Sequence, residues 1–168
     1  GLNEVLDGIT ISNAKGNGIK VSFNVNMLSA PVINNCIIAD NSPTDAGLLI
    51  TGSGSLSVTP VIRNTIFTNN HSSSYGAVLI AGNCRPVFEN CIFYNNGRTS
   101  AAGTGAAGIT FSNAAGIISN CNFYENSINH AVSNGAAIVL NNATDSVYIS
   151  NTIFWNNFNA GGISNLLV

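Results

Sequence analysis

One phrase, Pro31-Val32-Ile33-Asn34-Asn35-Cys36-Ile37-Ile38-Ala39-Asp40-Asn41, returns twice in close copies. These are Pro60-Val61-Ile62-Arg63-Asn64-Thr65-Ile66-Phe67-Thr68-Asn69-Asn70 and Pro86-Val87-Phe88-Glu89-Asn90-Cys91-Ile92-Phe93-Tyr94-Asn95-Asn96. Looser copies run from Gly116 through Asn120, Cys121 and Phe123 to Asn126, and from Ser146 through Asn151, Thr152 and Phe154 to Asn157. A degenerate first copy, Val5 to Asn13, carries Gly8 where the others carry Asn. Each phrase precedes a second short apolar run opened by glycine, at Gly18, Gly47, Gly76, Gly108 and Gly135.

Between the marker residues 8, 35, 64, 90, 120 and 151 the period is 27, 29, 26, 30 and 31 residues. The runs are short, β-branched or aromatic, and bounded by Gly, Asn and Ser, which reads as strand rather than helix. A repeat of this length with two or three strands is one coil of a solenoid, in which each unit buries its apolar face only against its neighbours. The expected fold is therefore all-β: a right-handed parallel β-helix of about six coils of 26–31 residues. Strands are expected at 31–33, 36–39 and 47–50 and at their counterparts. The whole chain, 1–168, reads as one such segment, a fragment of a longer solenoid.

The column Asn35, Asn64, Asn90, Asn120 and Asn151 has a physical cause. Asparagine tolerates the left-handed backbone of a tight turn, Gly8 does so more cheaply, and amides one coil apart can bond to each other. The final asparagines, Asn41, Asn70, Asn96, Asn126 and Asn157, are expected to mark a second turn column. Strand alternation then assigns the faces. Cys36, Thr65, Cys91, Cys121 and Thr152 point inward, as do Ile38, Phe67, Phe93, Phe123 and Phe154. Ile37, Ile66, Ile92, Asn122 and Ile153 point outward, beside a second outward column of Ala39, Thr68, Tyr94, Tyr124 and Trp155. The candidate binding surface is the apolar stripe of Ile37, Ile66, Ile92, Ile153, Tyr94, Tyr124 and Trp155, covered by a partner, another part of the chain or a glycan. The longest connection, Gly97 to Ala107, is a second place where function is expected.

Charged residues are only 7% of the chain and the net charge is −2. With five Lys and Arg in all, phosphate recognition is not expected, so no nucleic acid is assigned as partner. No run of apolar residues is long enough to span a membrane as a helix. The four cysteines lack metal-ligand spacing, and Cys36, Cys91 and Cys121 are expected as free core thiols. No metal or cofactor is assigned. Asn70-His71-Ser72 and Asn142-Ala143-Thr144 are glycosylation sequons.

The phrase "Ile/Phe-x-Asn-Cys/Thr-x-Phe-x-x-Asn" followed by "Gly-x-x-Ile" resembles the right-handed β-helix repeats of the pectate-lyase-like superfamily. It is most similar to non-catalytic bacterial exported adhesins and surface proteins. The resemblance implies a secreted or cell-surface location, and no capping helix accompanies it. Lyases of this fold are similar to one another in needing clustered carboxylates for calcium and an Arg or Lys base on neighbouring coils. Here Asp40 and Glu125 share a phrase position three coils apart, and no paired column of acids forms. Asp45 and Asp145 fall in loops, and His71 and His130 read as polar loop residues. No catalytic residues are assigned. The expected function is a structural or adhesive module, a rigid rod contacting other segments or subunits of its assembly. A carbohydrate-binding module on Tyr94, Tyr124 and Trp155, or a fragment of a polysaccharide lyase or hydrolase, stands as the alternative.

Overall fold

The computed structural model describes residues 4–24, 30–42, 44–53, 58–102, 104–130, 135–142 and 146–167, and all regular structure among them is β. Three parallel sheets of six strands each run the length of a solenoid. Sheet A holds Val5–Asp7, Val32–Asn34, Val61–Arg63, Val87–Glu89, Gly116–Ser119 and Val147–Ser150. Sheet B holds Thr10–Ser12, Ile37–Ala39, Ile66–Thr68, Ile92–Tyr94, Asn122–Tyr124 and Ile153–Trp155. Sheet C holds Ile19–Phe23, Leu48–Gly52, Val78–Gly82, Ile109–Ser112, Ile138–Asn141 and Leu166–Leu167. The strands begin about one residue later than the sequence suggests. A short fourth sheet, D, was not legible in the repeat: His71–Ser72, Gly97–Arg98, Ser127–Ile128 and Phe158–Asn159 pair in parallel, and Gly162–Ile163 closes it antiparallel.

Register is set column by column. Ile92 lies opposite both Ile66 and Asn122, Phe93 opposite Phe67 and Phe123, and Tyr94 opposite Thr68 and Tyr124. A one-residue slip would turn every core side chain out to solvent, so the alternating apolar pattern fixes the pairing. The inward rings stack along the axis: Phe67 on Phe93 at 4.8 Å, Phe93 on Phe123 at 4.4 Å, and Phe123 on Phe154 at 5.2 Å between centroids. Cys36, Thr65, Cys91 and Cys121 form a buried column beside them, while Thr152 on the last coil is half-buried.

The corner between sheets A and B is the expected left-handed turn. Asn35, Asn64, Asn90, Asn120 and Asn151 have φ of 53, 51, 53, 53 and 48°, and Gly8 in the same column has 69°. The second corner corrects the sequence reading by one residue. Its left-handed positions are Asn13, Asp40, Asn69, Asn95, Glu125 and Asn156, the last five each preceding the asparagine expected there and Asn13 preceding Ala14. In the coils from Asn41 on, that asparagine points into the core instead, and all five (Asn41, Asn70, Asn96, Asn126 and Asn157) are buried.

There they build a continuous amide ladder. Each side-chain amide donates to the next coil's Oδ1: Asn41 to Asn70 at 2.9 Å, Asn70 to Asn96 at 3.0 Å, Asn96 to Asn126 at 2.9 Å, and Asn126 to Asn157 at 2.8 Å. The second amide hydrogen goes back to a carbonyl of the preceding coil, as from Asn70 to Ile38 and from Asn96 to Phe67, both at 2.9 Å. Each Oδ1 also accepts a backbone N–H, for example that of Asn70 on Asn96 at 3.1 Å. On two coils the glycine before sheet C faces the ladder: a Cβ on Gly47 would meet the Asn70 side chain at 2.9 Å, and one on Gly18 would meet that of Asn41 at 3.0 Å, whereas at Gly76 and Gly108 it would meet the next coil's backbone at Ala107 and Ala137. At the last coil Asn157 donates to Asn165 at 3.0 Å, so the segment after sheet D supplies the ladder's final acceptor. The amides of the outer corner column do little of this, Asn90 reaching Asn64 only at 3.4 Å.

Replacing Asn96 with Leu leaves the Asn70 amide and the Phe67 carbonyl without their partner inside the core, at roughly 1–3 kcal/mol each. Urea unfolding of Asn96→Leu is expected to show a loss of about 2–5 kcal/mol, whereas Asn90→Gly at the outer corner is expected to be close to neutral.

Candidate functional site: the outer face of sheet B

Alternation along each sheet B strand turns the first and third residues outward. On the outer face Ile37 is 38% exposed, Ile66, Ile92 and Asn122 are half-buried between their neighbours, and Ile153 is 62% exposed. In the adjacent column Ala39 is buried, Thr68, Tyr94 and Tyr124 are half-buried, and Trp155 is 63% exposed. The structure therefore brings the seven candidate residues onto one face, but grades their exposure toward the last coil. Tyr94 and Tyr124 stack with centroids 4.5 Å apart and planes inclined by 21°. Rings stacked along the axis cover each other's faces and offer mainly their edges to solvent. A sugar platform needs an open face, and only the end of the aromatic column offers one.

The outer face of sheet C behaves in the opposite way. Leu49, Leu79, Thr110 and Val139 point outward there and are all buried. The connection after sheet D lies over this face: the Ala106 N–H donates to Thr110 Oγ1 at 2.8 Å, and Asn141 Nδ2 donates to the Thr104 carbonyl at 3.2 Å. Ala46 and Tyr75 pack against Leu49 and Leu79. Ser72 organises one of these turns, its Oγ accepting from the N–H groups of Ser74, Tyr75 and Gly76 at 3.2, 2.9 and 2.8 Å. The long Gly97–Ala107 connection, expected as a functional loop, starts as a strand of sheet D and continues as a cover over the solenoid wall.

The titratable groups are dispersed. Asp40 and Glu125 occupy the same left-handed corner column, with Asn69 and Asn95 on the coils between them. Asp7 is committed to the frame, accepting from Asn34 and Asn35 at 2.9 and 3.0 Å. Asp145 lies outside the described residues. His71 stands on a sheet D strand rather than in a loop, and His130 Nε2 lies 2.9 Å from the Thr99 carbonyl. Arg98 is fully buried on sheet D, where burial pulls its ionisation downward. Among the described residues no group of three or more His, Cys, Asp and Glu is placed to hold a metal. No helix of the described residues is long and apolar enough to cross a membrane.

The fold is matched by one family comparison. The family model described as the right handed beta helix region covers residues 1–165. The chain belongs to the right-handed β-helix family. No curated protein and no solved structure matches it. Membership explains why the same polar residue types recur coil after coil, because a β-helix reuses them as frame. The four cysteines are an example: all are free thiols and all are buried. Their Sγ atoms reach backbone carbonyls, as Cys36 does to Asn34 at 3.1 Å. Burial pushes the Cys84 thiol up to about 11, and its hydrogen bond with Cys121 together with burial holds Cys91 higher still.

The hydrogen bond with Cys91 pulls the Cys121 thiol downward, but all four side chains are enclosed in the core, so these cysteines are expected to resist modification because a reagent cannot reach them. Native protein at pH 8 should incorporate no iodoacetamide within an hour by intact mass, and four labels after denaturation. The Asn70 sequon is closed for a similar reason, since Asn70 is fully buried in the amide ladder. Folded protein offered to an oligosaccharyltransferase should remain unmodified at Asn70, as read by peptide mapping.

Proposed function

We infer that this β-helix is a non-catalytic structural or adhesive module of an exported cell-surface protein, a stiff segment that presents the outer face of sheet B to a partner. The observation that carries the reading is the contrast between two outward faces. On the middle coils the outer face of sheet C is buried under the chain's own connections, whereas on sheet B Ile37 is open to solvent and Ile66, Ile92, Tyr94 and Tyr124 are only half-buried. Parallel ladders hold that face rigidly, so a partner meets it preorganised and loses little of its contact energy to ordering. Low charge supports the same reading, because 7% charged residues give little mutual repulsion against close association. Among the described residues the thiols are buried, Asp7 is tied into the frame, and Asp40 and Glu125 stand three coils apart in one column, which supports a reading without acid–base catalysis.

The test is a pair of substitutions on this face. Ile92→Lys with Ile153→Lys should preserve the β-type circular dichroism spectrum. Self-association, followed by sedimentation velocity, and adsorption to octyl- and glycan-coated beads should together fall at least tenfold. Unchanged association and adsorption in the folded variant would remove the proposed role of the face. Release of unsaturated products from pectate or alginate with added calcium would refute the non-catalytic half.

A further inference from the structure

The five asparagines of the buried ladder differ in the residue that follows each of them. Asn41, Asn70, Asn126 and Asn157 precede Ser42, His71, Ser127 and Phe158, whereas Asn96 precedes Gly97. Asn-Gly is the dipeptide in which an asparagine side chain cyclises most readily, because glycine has no Cβ to hinder attack by its own backbone nitrogen. The fold holds this pair where the reaction cannot start, since Asn96 and Gly97 are both buried. The Asn96 amide donates to Asn126 Oδ1 and to the Phe67 carbonyl, both at 2.9 Å. Its Oδ1 accepts the N–H and the side-chain amide of Asn70 at 3.1 and 3.0 Å. The attacking atom is held as well, because the Gly97 N–H donates to the Asn70 carbonyl at 2.9 Å. Asn17-Gly18 repeats the dipeptide outside the ladder. Asn17 is half-buried, and among the described residues its side chain makes one bond, from the Ala46 N–H to Oδ1 at 3.2 Å. The third copy begins at Asn134, which lies outside the described residues.

We propose that Asn96-Gly97 is a latent deamidation site, kept intact by the ladder and converted when its coil opens. In an opened chain the Gly97 nitrogen gives its proton to base and attacks Asn96 Cγ. The new N–Cγ bond closes a succinimide, and the Cγ–Nδ2 bond breaks to release ammonia. Water then adds to one ring carbonyl and breaks that carbonyl's bond to the Gly97 nitrogen, leaving aspartate or isoaspartate at position 96. Neither product fits the ladder. An aspartate presents an acceptor or a charge where Asn126 Oδ1 and the Phe67 carbonyl need a donor. An isoaspartate lengthens the main chain by one methylene and shifts the register of the coil. The reactive dipeptide is tied to local packing, because a Cβ on Gly97 would fall on the exposed ring of His71, its partner in sheet D. Unfolding of this coil thus becomes irreversible with time, and the working lifetime of the protein depends on how rarely the coil opens.

The experiment holds the protein at pH 8 for increasing times, one sample in native buffer and one in guanidinium chloride. The second sample is then diluted, refolded chains are separated from unfolded ones, and peptide mapping reads conversion at each Asn-Gly. In native buffer Asn17 should convert at least tenfold faster than Asn96. In guanidinium chloride Asn96 should convert as fast as Asn17, and the refolded fraction should fall in step with it. Aspartate and isoaspartate at position 96 should be at least tenfold enriched in the chains that fail to refold. Gly97→Ala combined with His71→Ala removes both the dipeptide and the ring that a Cβ would meet, and should raise the refolded yield after long exposure at least fivefold. Conversion of Asn96 in native buffer as fast as in guanidinium chloride would overturn the proposal. Refolded chains that carry the converted residue as often as unfolded ones would overturn it too, as would an equal loss of refolding in the folded double variant. If the double variant does not fold, the distribution of converted wild-type chains between the two fractions decides the question alone.

Discussion

The buried asparagine ladder is the constraint on which the other features of this β-helix depend. An amide enclosed in a core must satisfy two donors and two acceptors, and an unmet group there is costly. Asn70 meets all four through one coil above and one below: its amide bonds Asn96 and the Ile38 carbonyl, and its Oδ1 takes the side chain and the N–H of Asn41. That geometry fixes the height of each coil and the phase of its corner. The residue before each ladder asparagine must be left-handed to aim the amide inward, and on the coils of Gly18 and Gly47 the facing position has no room for a side chain. Phenylalanines then stack in the remaining space at coil spacing, adding aromatic contacts to the hydrophobic burial of each coil.

Because the inside is so determined, variation moves outward, and the two outer faces use it differently. On sheet C it is spent on connections that return over the wall and bury Leu79 and Val139. On sheet B outward residues change type from coil to coil: Ala39, Thr68, Tyr94, Tyr124, Trp155. A column with no internal packing role is free to change, so this is where differences between coils can carry recognition. Side chains one coil apart shield one another, which is why the middle of the stripe is half-buried and the last coil is open.

Much of this was legible in the repeat. Phe93 and Phe123 in phase with Asn90 and Asn120 give strand, corner and core face together, because a period-2 pattern locked to a coil period leaves one consistent parity. The second corner was read one residue late. Asn69 and Asn70 are the same residue type side by side, and nothing local distinguishes a left-handed amide facing water from an extended one facing the core. Sheet D escaped notice because two-residue strands such as Gly97–Arg98 leave no periodicity to detect.

By itself, then, the sequence determined the coil period, the inward columns and the solenoid they form, since each depends on contacts between equivalent positions of successive repeats, and equivalence is visible as repetition. Which asparagines carry the ladder and which outer face is covered were decided only in three dimensions. These depend on unlike positions meeting: Thr104 with Asn141, Gly47 with Asn70, Asn157 with Asn165. Such pairs share no pattern along the chain, and only the closed path of the coil brings them within hydrogen-bond or van der Waals reach.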